Sequence, residues 1–231
     1  MTPRSMLAPL GLVALGVALF ALTAKPARVL AAEFWDAKPF AEWSDKDVQR
    51  MLTDSPWAHP LSVVVQRSPT ETGDINAGGR GGGDDTGRGG FPTPLPQLKL
   101  IVQWRSAQPM RQAVARRDFG DKIPADVRET LERDDSIYVV TVLGLPMRFA
   151  AAAGSAKQAT FLKRDGRPPI AATEGGPQQS GNTLALVFGF PRADAITPQD
   201  NEVEFATKLG DLEIKRKFRL KEMVAAGHLQ L

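Results

Sequence analysis

The chain has 231 residues, 42% of them apolar, and no cysteine. That is enough for one domain of ordinary size with appendages, and it excludes thiol catalysis, thiolate metal sites, disulfide staples and a lipidated N-terminal cysteine. The pI of about 9.3 points to a polyanion partner only until the charges are located. Residues 1–31 carry Arg4, Lys25 and Arg28 and no acid, and without those three of the 29 basic residues 26 stand against 26 acidic ones. The remainder is formally neutral, so the global-charge argument for nucleic acid disappears.

Residues 1–31 read as a signal segment. Arg4 precedes an uncharged apolar run from Met6 to Ala24, and Val29-Leu30-Ala31 puts small residues at the positions a signal peptidase reads. Cleavage after Ala31 is expected, giving an exported periplasmic or extracellular protein. The run is also long enough to span a bilayer, so an anchor retained at residues 6–24 is the alternative. Basic residues on both flanks leave orientation undecided.

Residues 32–60 form an aromatic-rich arm that runs into a short helix. Ser44 is a natural N-cap with Asp47 three residues on, and Trp43 and Val48 occupy the positions of a hydrophobic staple. Val48, Met51 and Leu52 share one helical face, and Ser55-Pro56 ends the helix. The stretch Phe40-Ala-Glu-Trp-Ser-Asp-Lys-Asp-Val-Gln-Arg-Met-Leu-Thr-Asp-Ser-Pro-Trp-Ala58 resembles the opening motif of a group of exported bacterial proteins with no assigned activity. The likeness extends to Phe190-Pro191-Arg192 and to the region from Glu202 to Phe218. It implies export and supplies no functional residue.

Leu61–Gln66 reads as a first strand. Residues 67–97 read as a linker rich in glycine and proline, whose glycine-dense part, Gly73 to Gly90, is expected to be disordered. The main domain is expected over 98–231. Leu98, Leu100, Val102 and Trp104 alternate, and Tyr138 to Leu143 is apolar on both faces, as in a central strand. Thr160 to Arg164 and Thr183 to Phe190 add two strands, and helices are expected from Pro109 to Arg117 and from Pro124 to Glu132.

Glu202 to Leu209 and Leu212 to Leu220 flank Gly210-Asp211, a two-residue hairpin turn. Counting outward pairs Val203 with Phe218 and Thr207 with Ile214 on one face. The other face then pairs Glu202 with Arg219, Glu204 with Lys217 and Lys208 with Glu213. Arg216 alone breaks the inward apolar pattern, opposite Phe205, and marks an edge, a bulge or a cation–π contact. Some seven strands of this kind predict a mainly β chain (α+β in detail), a two-layer antiparallel β-sandwich with two or three short helices, for which an immunoglobulin-like arrangement is one form.

No catalytic, metal or cofactor constellation stands out. His59 and His228 are far apart and read as surface or loop residues, and of Asp200, Glu202 and Glu204, which share a strand face as in a calcium cluster, Glu202 and Glu204 have basic partners in the hairpin register. No cofactor is expected. Arg80-Gly-Gly and Arg88-Gly-Gly are offset by Asp84 and Asp85 and read as linker rather than RNA-binding tract. Two candidate partner surfaces remain. Arg105, Arg111, Arg116 and Arg117, with Lys99, form a run with no acid that would suit an anion, unless acids such as Asp118, Asp121 or Glu129 pair with it. Trp35, Trp43 and Trp57 would suit a protein partner, unless the arm packs over an open end of its own sandwich. The expectation is a non-catalytic binding or structural module of the bacterial cell envelope, partnered by an envelope protein or polymer and not by nucleic acid, with membrane contact only if the N-terminal segment is retained. The alternatives are a secreted hydrolase with a dispersed site and a membrane-tethered polyanion-binding protein.

Overall fold

Alternation along the strands builds the interior of the sandwich directly. In this computed structural model, which describes residues 33–65, 97–133 and 135–231, Leu100, Val102 and Trp104, then Tyr138, Val140 and Val142, then Leu184, Leu186, Phe188 and Phe190 are all buried. They come from β2 (Gln97–Trp104), β3 (Ile137–Pro146) and β7 (Thr183–Pro191). With β1 (Ala58–Val64) and β6 (Glu174–Ser180) these form an antiparallel sheet of order β1-β2-β3-β7-β6. The stretch that is apolar on both faces, β3, is its central strand.

The facing sheet has the order β5-β4-β8-β9, from β4 (Phe161–Arg164), β5 (Ile170–Ala171), β8 (Glu202–Leu209) and β9 (Leu212–Arg219). Edge-to-face contacts of Trp104 with Phe218, at 5.3 Å between centroids, and of Phe190 with Phe205, at 6.4 Å, join the layers. Setting β1 aside, the orders β2-β3-β7-β6 and β5-β4-β8-β9 follow the immunoglobulin connectivity, with β1 added beside the first strand. Tyr138 fixes the crossing between the sheets after β7, because its hydroxyl accepts a hydrogen bond from Ile196 N at 2.9 Å.

The hairpin register is the one read by counting: Glu202 faces Arg219, Val203 faces Phe218 and Thr207 faces Ile214. Gly210 has φ +57 at the first central position, as a II′ turn requires. The ion pairs differ from the register. Lys217 reaches diagonally to Glu202 at 2.7 Å, Glu204 lies 3.9 Å from Lys163 of β4, and Glu213 bonds Lys215 on its own strand. Long side chains choose among neighbours on a three-strand face, which a two-strand count leaves out.

The arm belongs to the sandwich and not to a separate segment. After the short α1 (Phe34–Ala37), α2 (Asp45–Thr53) begins at Ser44 with the full capping box. Trp43 and Val48 are buried as a staple demands. The buried Gln103 of β2 donates to Leu52 O at 2.5 Å, docking α2 on the sheet. The first strand starts at Ala58, earlier than expected, with Pro60 inside it. An edge strand tolerates proline because one side of its ladder is unpaired. Beyond β9, β10 (Val224–Ala225) and β11 (His228–Leu229) make a small hairpin whose turn contacts the arm, Ala226 N donating to Asp36 Oδ1 at 2.9 Å. The signal and glycine-rich readings lie outside the described residues.

Candidate functional site

The helices α3 (Gln108–Phe119) and α4 (Ala125–Glu132) sit between β2 and β3 in the chain. Hydrogen bonds to the Val139 backbone pin the start of this excursion. Arg105 N donates to Val139 O at 2.7 Å, and Ser106 Oγ accepts from Val139 N at 3.0 Å, so Arg105 leaves the end of β2 from a fixed position. The buried Ala115, Ile123 and Leu131, joined by Phe40 and Val127, form a satellite core that holds α4 against α3. Arg111, Val114, Ala115 and Asp118 follow helical spacing on α3 and, with Phe119, face Val127 and Leu131 across a groove of about 280 Å³.

The arginines read from the sequence have different roles here. Arg116 is a strut, its side chain only 12% exposed, donating to Trp43 O and Gly120 O and pairing with Asp121. Arg117 is exposed and bonds Asp118 at 2.8 Å. Lys99 is exposed at the far end of β2, so the run from 99 to 117 does not form one continuous basic surface. Arg111 donates to Thr130 O at 3.0 Å and lies 3.7 Å from Asp135. Arg105, by contrast, is half-buried in the groove wall, and its guanidinium has no hydrogen-bond partner among the described residues. Burial first, and then the nearby Arg117, pull its pKa below the usual arginine value.

The tryptophans present little surface. Trp43 and Trp57 are 1% and 0% exposed, a correction to their reading as a partner surface. Trp57 Nε1 donates to Gln230 O at 2.8 Å, and Trp43 sits edge-on to Phe34. Trp35 is half-buried and packs at 5.4 Å on Trp57. The arm covers the end of the sandwich because these rings bury area on it.

Elsewhere the ionisable groups hold loops. Arg164, buried at the end of β4, bonds the Asp194 carboxylate between β7 and β8 and holds its pKa down. Asp200, with a side chain 2% exposed, accepts from Thr197 N at 2.8 Å and lies 3.3 Å from Arg167. Arg192 of the Phe-Pro-Arg element stacks 4.6 Å from the Tyr138 ring and donates to Leu231 O. His59 lies on a strand, not in a loop. It packs 5.2 Å from Phe218, and burial, assisted by Arg216, lowers its pKa to about 4. His228 is exposed on β11. Among the described residues no group of three or more His, Asp and Glu is arranged to hold a metal ion, and no helix is long and apolar enough to cross a membrane.

Asp118 stands in the sequence as an acid that can pair with the basic run, but a linear charge run gives no sign of Phe119, Val127 and Asp135 beside it. The signal that finds part of the groove is the helical spacing of 111, 114, 115 and 118, which continues past the first acid. No protein family, curated protein or solved structure matches this chain.

Proposed function

We propose that the chain is a non-catalytic, extracytoplasmic binding or structural module of a bacterial cell envelope, and that it meets its partner at the α3–α4 groove. The observation that carries this reading is the contrast between the groove and the rest of the molecule. Elsewhere most clustered charges pair with one another and fix loops, and Arg216, whose Nε also lacks a partner among the described residues, lies among Glu202, Glu204 and Lys217 on the β9 edge. Among the described residues it is the groove that joins a half-buried arginine lacking a partner to a large exposed aromatic, Phe119, 44% exposed. Large exposed aromatics beside an arginine are the composition of binding hot spots. Export is supported by the pattern of residues 1–31 and by the resemblance of the segment from Phe40 to Ala58 to exported bacterial proteins.

The hydrolase alternative has its best case at His59, neutral at pH 7, but the ring packs on Phe218 with Arg216 beside it, a poor setting for the imidazolium a general base must become. The polyanion alternative loses support because Arg116 and Arg117 are already engaged.

The test is a photo-crosslinking side chain placed at Phe119 in the full chain in cells, with Gln178 on the exposed edge strand β6 as control. A discrete adduct with an envelope component from position 119 and none from 178 is expected. No adduct from 119, or the same adducts from both positions, contradicts the reading.

A further inference from the structure

We infer that the α3–α4 groove recognises a partner protein through a single carboxylate-bearing side chain beside a bulky apolar one; the inference rests on the binding-module reading above. Three features of the groove set this chemistry. Its volume of about 280 Å³ falls at or below the lower end of the range for small-molecule pockets, roughly 300 to 1,000 Å³. It is the size of one or two side chains presented by a larger partner.

Charge sets the second requirement. The lining sets Arg105 and Arg111 against Asp118 and Asp135, but Asp118 is bonded to Arg117 outside the lining and Asp135 lies 3.7 Å from Arg111, so among the described residues one guanidinium has no carboxylate of its own. One incoming carboxylate matches it, whereas a polyanion must pass two carboxylates of like charge. The position of the unmatched charge is specific. Arg111 already donates to Thr130 O, and Arg117 is held by Asp118, which leaves the Arg105 guanidinium as the donor for an incoming anion. A planar guanidinium binds a carboxylate through two parallel hydrogen bonds, and the half-buried setting strengthens them relative to water.

The third requirement comes from the walls. Val114, Val127 and Leu131 line the cavity and Phe119 is exposed at its rim. Only an apolar group gains by covering this apolar surface. A carboxylate alone leaves it wet, and a purely apolar ligand leaves Arg105 desolvated without a partner.

The experiment is a titration of the isotope-labelled full chain, followed by amide NMR, with acetyl-Leu-Glu-Leu-amide and with its neutral counterpart acetyl-Leu-Gln-Leu-amide. Saturable shifts confined to α3, α4 and the Arg105 segment are expected, with at least tenfold weaker binding of the glutamine peptide. Arg105→Met, which keeps the apolar stem, is expected to abolish that preference while the protein's remaining amide spectrum stays folded. Equal binding of the two peptides, binding unaffected by Arg105→Met, or absence of binding overturns the inference. Tighter binding of dextran sulfate than of the glutamate peptide at the same amides also overturns it, in favour of a polyanion. A crosslink at Phe119 together with any of these results leaves the binding-module reading standing and removes only its carboxylate chemistry. If position 119 yields no crosslink, the module reading itself falls.

Discussion

His59 illustrates how a single side chain reports the packing of both sheets. It faces inward from β1 against Phe218 of β9, with Arg216, Glu222 and Asp54 as its charged surroundings, and its pKa falls from 6.5 to about 4. The unfolded chain therefore binds a proton at higher pH than the folded one does. Between about pH 6.5 and 4 the unfolded state holds more protons, so the stability this group permits is complete above 6.5 and declines as pH falls to about 4. We expect His59→Phe to flatten the pH dependence of the thermal midpoint across that window, as measured by circular dichroism melts at half-unit steps. An unchanged slope would mean that the imidazole is solvated in the folded protein. Asp47 titrates outside the window, since Lys38 and Ser44 lower its pKa from 3.8 to about 2. Its contribution is present above 3.8 and is lost only as pH falls toward 2.

At the scale of elements, the C-terminal hairpin separates backbone register from side-chain pairing. Lys217 faces Glu204 in the ladder but bonds Glu202. A double-mutant cycle by urea unfolding is expected to show favourable coupling for Glu202 with Lys217, a smaller coupling for Glu204 with Lys217, and loss of both as salt rises. A larger coupling for Glu204 would restore the simple cross-strand pairing. The backbone of this hairpin was legible in the sequence because an apolar alternation on both arms converges on one glycine turn. The capped helix α2 and the central strand β3 were legible for similar local reasons. Strand β6 was not. Its sequence, Glu174-Gly-Gly-Pro-Gln-Gln-Ser180, has no apolar alternation, and it exists because β7 offers a ladder. Gly175 at φ +122 lies so close to Val187 O that a Cβ there would sit 2.0 Å away, a requirement set by the partner strand and invisible in the local sequence. The groove was half legible for the same reason. Arg105 and Arg111 stood out as charges, but their separation from Arg116 depends on the carbonyl of Trp43, 73 positions away.

For the whole molecule, the sandwich protects each of its four edges and leaves its side chains to do any recognition. Pro60 lies in β1, Pro177 in β6, β5 has two residues, and Arg216 points inward from β9. These are the devices that discourage pairing between sheets of different molecules, and they resolve Arg216 as an edge residue. The arginines around α3 divide into struts and one group held ready for a partner, and the two kinds act on global stability with opposite sign. A half-buried cation without a partner costs folding free energy, so an apolar substitute of similar shape relieves it. A strut behaves in the opposite way, because removing it orphans the acceptors it served. The measurement is the thermal midpoint of the full chain carrying Arg105→Met or Arg116→Met, at pH 7 and without ligand. At about 2 to 4 °C per kcal/mol for a domain of this size, Arg105→Met is expected to raise the midpoint by one to a few degrees, and Arg116→Met to lower it by several. A fall with Arg105→Met comparable to that with Arg116→Met would show that Arg105 is a strut as well, and would contradict the account.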